Sequence, residues 1–176
     1  VPRPQVSDRL LGGARLNAVF TGLTFLASAA NNGAPGNGSS GQPSIARAGK
    51  SVVFSSTATN LARGDQSRVS DIYRRTIVRK FQHLANGKGI QTLQGSISLV
   101  SATQSGRSGN AASSHPTVTD DGRYVAFQTD ASNLLPGDTN GTTDIVRANV
   151  MRKPNLIWVS KTNVDGISNG PSRDPV

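Results

Sequence analysis

The chain has 176 residues and a mass of 18.3 kDa, a length suited to one domain rather than two. Nineteen basic residues against ten acidic ones give a net charge of +9 and a pI near 11.1, a field that attracts acidic partners of any chemistry. Cys is absent, which excludes a disulfide scaffold and every Cys-ligated zinc or iron–sulfur site. All ten acidic residues are Asp and only five residues are Lys, so the usual fillers of exposed helices are missing. Ser, Thr, Asn and Gly supply 67 residues, a composition that favours short strands joined by polar turns.

In chain order, the first apolar stretch is LNAVFTGLTFLASAA, residues 16–30. It follows Arg15 and ends in an Ala-x-Ala-like site, as a signal-peptide core does. Its interior polar residues and the repeat described next favour a pair of strands, part of an incomplete unit over residues 8–28.

Residues 43–74 align without a gap onto residues 116–147 at a constant offset of 73. Twelve of 32 positions are identical: Pro43/Pro116, Gly49/Gly122, Val52/Val125, Phe54/Phe127, Ala58/Ala131, Asn60/Asn133, Leu61/Leu134, Gly64/Gly137, Asp65/Asp138, Asp71/Asp144, Ile72/Ile145 and Arg74/Arg147. Ser28, Ser101 and Ser160 each close an apolar run, and each lies 15 residues before a Pro: Pro43, Pro116 and Pro175. A third copy therefore begins at residues 175–176.

Within one copy, PTVT reads as a strand, Asp120-Asp121-Gly122 as a turn, and residues 123–129 as an alternating strand. The loop NLLPGDTNGTT carries Pro-Gly and Asn-Gly turn signals. DIVRANV and LIWVSKT supply two more strands. Four short antiparallel strands followed by a long return loop make one propeller blade. The expected fold is all-β, a β-propeller segment of four-stranded antiparallel blades. Two full blades, about 43–102 and 116–161, lie between partial blades at both ends. The blades are expected to pack through Val52, Phe54, Ile72, Val125, Phe127, Ile145 and Trp158. Since propellers close with about four to eight blades, the chain is expected to be a fragment, or to be completed by neighbours.

The pattern P-[ST]-[IV]-x-x-x-G-[KR]-x-V-x-F-x-[ST]-x-A-x-N-L-x-x-G-D resembles the bacterial WD40-like repeat of TolB-type β-propellers. The resemblance spans roughly residues 23–176. It implies a periplasmic, cell-envelope or secreted bacterial setting, and a non-enzymatic scaffold that binds proteins. The first copy departs from the pattern, with Arg47-Ala48 at the position of Asp120-Asp121 and Gln66-Ser67-Arg68 at that of Thr139-Asn140-Gly141. The alternative is a propeller that gates or positions a separate hydrolase domain outside this chain.

The first copy carries an insertion of 14 residues within residues 80–95, between its third and fourth strands. Insertions in repeat proteins decorate one face, often the binding face. Basic residues are densest there and just before it. Arg74, Arg75, Arg79, Lys80 and Lys88 are the expected partner-binding residues, with Arg74 or Arg75 projecting outward. The partner class is a protein with an acidic surface, or the remaining blades of the same propeller, with an anionic membrane surface as another acidic target. Nucleic acid is disfavoured because only Tyr73 and Phe81 are near enough to stack on bases.

Asp138, Asn140 and Asp144 alternate oxygen-bearing side chains around a Gly, a pattern suited to calcium. The Glu that closes an EF-hand loop is absent, and an Asn-Gly turn explains the same residues without metal. No other cofactor is indicated. No Gly-x-Ser-x-Gly elbow and no phosphate-binding Gly-Lys-Ser/Thr loop occurs. His115, at the residue before Pro116 where the other copies have Gln42 and Asp174, reads as a loop position. The Asp residues recur mainly at turns. The chain is accordingly expected not to be an enzyme.

Overall fold

The computed structural model describes residues 24–83, 87, 89–151, 155–162, 166 and 168–176. Most of the 8–28 segment and Lys88 lie outside the described residues. The fold is all-β: among the described residues there are ten strands and no helix, in three antiparallel sheets of four, two and four strands. Two compact units are distinguished. One is Leu26–Val78 with Gly95–Val176, and the other is Val1–Phe25 with Arg79–Gln94.

In the larger unit, β1 (Ser40–Ile45), β2 (Ser51–Ser56), β3 (Asp71–Thr76) and β6 (Ile97–Leu99) form the first sheet in that order. β7 (Ser113–Val118), β8 (Tyr124–Thr129), β9 (Asp144–Asn149) and β10 (Asn155–Trp158) form the second, likewise from first strand to fourth. The equivalence of the copies extends to register. Ser51–Ser56 pairs with Asp71–Thr76 as Tyr124–Thr129 pairs with Asp144–Asn149. The β1–β2 turn, Arg47–Lys50, and the β7–β8 turn each need a left-handed residue, and Gly49 and Gly122 supply it at φ of 63° and 71°.

Period-two alternation then sorts the side chains onto two faces. Val53 and Ile72, with Val100 beyond β6, face the second sheet and pack with Val125, Phe127, Val146, Ala148 and Leu156. The opposite face of the first sheet gathers Phe54, Tyr73, Ile97 and Leu99 with Ala58 and Leu61, and Ala27 packs against it. The expected packing set is therefore divided. Val52 and Phe54 point away from the second sheet, because they alternate with Val53. Val125, Phe127 and Ile72 meet across the interface as expected, while Trp158 packs at its margin.

The smaller unit contains β4 (Val78–His83), apart from Val78, and β5 (Gly89–Gln94), paired as a two-stranded sheet. In chain order it lies between β3 and β6. All six β4 residues are exposed. Phe81 lies over Gly89, where a Cβ would fall 2.1 Å from the ring, and meets His83 edge to face with ring centres 4.8 Å apart.

Equivalent glycines have unequal surroundings. Gly64 and Gly137 both have left-handed backbones, at φ of 97° and 89°. A Cβ on Gly64 would fall 2.1 Å from the carbonyl oxygen of Gly106, whereas one on Gly137 would meet nothing within 4 Å. Gly64→Ala is expected to lower the melting temperature clearly more than Gly137→Ala, since only the first adds a backbone clash to the shared cost of a left-handed Ala, on the order of 1 kcal/mol. Equal losses in thermal melts would contradict this placement of the 102–108 loop.

Candidate functional site

The first strand of each sheet is interrupted at the same place. Register slips between Gly41 and Ser44 in β1, and between Ser114 and Thr117 in β7. Two residues, Gln42-Pro43 or His115-Pro116, there oppose one, which makes a β-bulge. Pro fits because it has no ladder N–H to lose. The residue before it is left-handed: φ is 50° at Gln42, 50° at His115 and 52° at Asp174, the equivalent position before Pro175. These are the only non-Gly residues with positive φ among the described residues. A left-handed residue with a Cβ is costly, and a following Pro further disfavours it. Such strain persists only where surrounding contacts hold it, and it concentrates at functional sites.

The three side chains line one groove of about 480 Å³ together with Pro43, Pro116, Pro175, Ser44 and Thr117. Gln42 accepts through Oε1 from the His115 backbone N–H at 2.9 Å and from Ser55 Oγ at 3.0 Å. Its NH₂ is thereby turned toward His115 Nε2, 3.0 Å away. Nε2 is the acceptor of that contact, so the ring proton sits on Nδ1 and donates to Ser114 Oγ at 3.2 Å. Nε2 also lies 3.8 Å from Asp174 Oδ1. Gln128 Oε1 accepts from the Asp174 backbone N–H at 3.3 Å, from the position equivalent to Ser55. His115 thus lies within β7 and links equivalent positions of three copies, a correction to its reading as a loop residue. The signal was present in the alignment of Gln42, His115 and Asp174. Its meaning depended on the bulge, which period-two patterning does not register.

The Asp-rich loops follow the strands. In the first copy, Asp71 is buried, accepting from Ser101 Oγ at 2.6 Å and from Ser67 Oγ at 2.7 Å. Ser67 Oγ also lies 3.4 Å from Asp65, and the buried Tyr73 phenol donates to Asp65. Burial pushes the Asp71 carboxyl up to about 6, against which the two hydroxyls act only partly. Burial likewise pushes the Tyr73 phenol up.

In the second copy, Ser160 Oγ donates to Asp144 at 2.8 Å, as Ser101 does to Asp71. Asn140 donates its NH₂ to Asp144 at 3.0 Å and to the Ser168 carbonyl at 2.7 Å, while its Oδ1 accepts from the Thr142 N–H at 3.0 Å. Asn140 therefore brackets the loop, and its oxygen is turned away from Asp144. Val146 stands where the first copy has Tyr73, so Asp138 lacks the phenol that holds Asp65, and its Oδ1 is buried without a hydrogen-bond partner. Burial and the Asp144 charge push the Asp138 carboxyl up. A calcium ion here would draw on Asp138, Asp144 and backbone carbonyls rather than on Asn140. Among the described residues, no three His, Asp or Glu side chains converge as a metal-binding group.

The expected basic surface is rearranged. Arg75 is buried, its Nε donating to the Ala27 carbonyl at 3.0 Å and its Nη1 to the Gly95 carbonyl at 3.3 Å. Arg74 reaches the second sheet, with Nη1 3.5 Å from the Val150 carbonyl and Nη2 3.9 Å from Met151 Sδ. Neither projects outward: alternation sends one into each packed face of the first sheet. Arg79 and Lys80 are exposed on β4, beside exposed Val78 and Phe81. No protein-family model and no curated protein matches the chain. Among the described residues no helix is long and apolar enough to cross a membrane.

Asp71 binds its proton more tightly in the folded chain than in the unfolded one, where the ordinary value is 3.8. Its contribution to stability is thus complete below about pH 3.8 and is lost as pH rises to about 6, by on the order of 3 kcal/mol. Asp71→Asn should keep acceptor and donor toward Ser101 and Ser67 and remove this loss. The difference in unfolding free energy between variant and native chain should then grow in the variant's favour between pH 4 and 6. A difference that is flat across this range would contradict the burial assigned to Asp71.

Proposed function

We propose that the chain is a segment of a TolB-type β-propeller and works as a rigid, non-enzymatic binding scaffold whose β4–β5 hairpin contacts an acidic protein partner. The hairpin's exposure carries this reading: two strands interrupt the repeat between β3 and β6, and the first of them, Val78–His83, is exposed along its whole length. Arg79 and Lys80 supply charge there, and Val78 and Phe81, half exposed, supply apolar area. Strand and loop residues not needed by the repeat are free to serve recognition.

The propeller reading draws support from the repeated packing. The second sheet covers the face of the first that contains Val53, Ile72 and Val100, as consecutive blades do. The equivalent face of the second sheet holds Ala126, Ile145 and Val159. Ile145 is buried, as its counterpart Ile72 is, but Val159 is 53% exposed where Val100 is 2% exposed, so the Val159 part of this face is open to a further unit of the same kind. On the repeat resemblance, the setting is the bacterial periplasm, cell envelope or exterior. A rim of exposed cations acts mainly on association rate and salt dependence.

Replacing Arg79, Lys80 and Lys88 together by Ser tests the reading, with a poly-glutamate peptide as the acidic probe. The melting temperature should change little, because surface substitutions cost within about 0.5 kcal/mol. Association should slow at low salt and lose much of its salt dependence. An unchanged rate across ionic strengths would place the contact elsewhere. A preference of the native chain for single-stranded DNA or for anionic vesicles over the peptide would replace the acidic protein by those partners.

A further inference from the structure

We propose that His115 and Asp174 form a binding site for a divalent transition-metal ion of borderline softness, with Zn²⁺ as the type. The inference is independent of the hairpin's role. Imidazole nitrogen and carboxylate oxygen are the ligand types such ions take when thiolate is absent. The imidazole is already oriented for this. With the proton on Nδ1 and donated to Ser114 Oγ, Nε2 carries the lone pair that faces the groove, where it accepts from the Gln42 NH₂. A hydrogen bond on the far nitrogen is the usual device that aims a ligating histidine. Nε2 and Asp174 Oδ1 stand 3.8 Å apart, and two bonds of about 2.0–2.2 Å meeting at an open angle span that gap.

The backbone adds preorganisation. Both residues are left-handed and precede a Pro, and the β7 bulge fixes the direction of the His115 side chain. Both side chains are open to solvent, 46% and 74% exposed, and water can complete the coordination shell. The groove's hydroxyls, Ser44 and Thr117, lie among the same lining residues. One group competes with the ion: the Gln42 NH₂, 3.0 Å from Nε2, holds the same lone pair. Metal binding replaces this hydrogen bond, and a carboxylate at position 42 would turn the competitor into a third ligand.

Calorimetric titration of the native chain with Zn²⁺ should reveal a site that His115→Ala abolishes and His83→Ala leaves intact. Asp174→Asn should weaken it by about tenfold or more, since loss of a ligand costs at least what loss of a hydrogen-bond partner behind a ligand does, about 10–100-fold. Gln42→Glu should tighten it by about tenfold or more. If His115→Ala binds as the native chain does, or if His83→Ala is the variant that loses binding, the assignment is overturned. Gln42→Glu leaving the affinity unchanged would equally remove the geometry argued for the groove. Should His115→Ala fail to fold, Ni²⁺ added to the native chain gives a second reading by NMR. Paramagnetic broadening centred on residues 115 and 174 supports the site, and broadening centred on residue 83 contradicts it.

Discussion

The apolar contact between the two four-stranded sheets is the constraint on which the rest of the larger unit depends. Val53, Ile72 and Val100 on one side meet Val125, Phe127, Val146, Ala148 and Leu156 on the other. Full burial of side chains of this size contributes roughly 1.5–3 kcal/mol each relative to exposure, which a chain with so few large residues needs. Because strand side chains alternate, committing these residues to the interface commits their neighbours to the reverse faces. Phe54 and Tyr73 are thereby sent to a second core, and Arg74 and Arg75 to opposite sides of the first sheet. The Asp71–Ser101 and Asp144–Ser160 pairs then stand at matching strand starts, where each Ser hydroxyl also accepts from the N–H of Ile72 or Ile145.

The same constraint explains the groove. Strands β1 and β7 run at the edge of their sheets, and the sheets are offset by one repeat. A bulge at the same point of both strands puts Gln42 beside His115, and Asp174, before Pro175, lies next to His115 in turn. Conformation is shared by Gln42, His115 and Asp174, but chemistry is not. The repeat thus provides a fixed row of positions whose side chains are free to differ, an arrangement by which a structural repeat acquires a site.

Much of the architecture was legible in the sequence, because it is written twice. The offset of 73 located equivalent strands, and Gly49 and Gly122 marked equivalent turns. The pattern was less informative wherever a single position decided the outcome. Arg75 reads as a charge on a basic stretch, yet its stem is buried and its guanidinium serves two backbone carbonyls. Nothing in the local sequence distinguishes it from Arg79, which is exposed. Asn140 reads as an oxygen ligand, but its amide donates to Asp144 and to the Ser168 carbonyl, a partner 28 residues away. The exchange of Tyr73 for Val146 was visible in the alignment. Its consequence for Asp138 requires knowing that the phenol and the loop carboxylate are neighbours.

The central claim is that one sheet of this repeat receives the next face to face. It is tested most directly by supplying the next one. Since Val176 aligns with Thr117, a chain extended after Val176 by a second copy of residues 118–176 continues the register. Hydrogen exchange read at Ile145 and Val159 in the native and extended chains is the decisive measurement. The account predicts strong new protection at Val159, now the counterpart of buried Val100, together with a higher melting temperature. Unchanged exchange at Val159 with the added segment unfolded would contradict it.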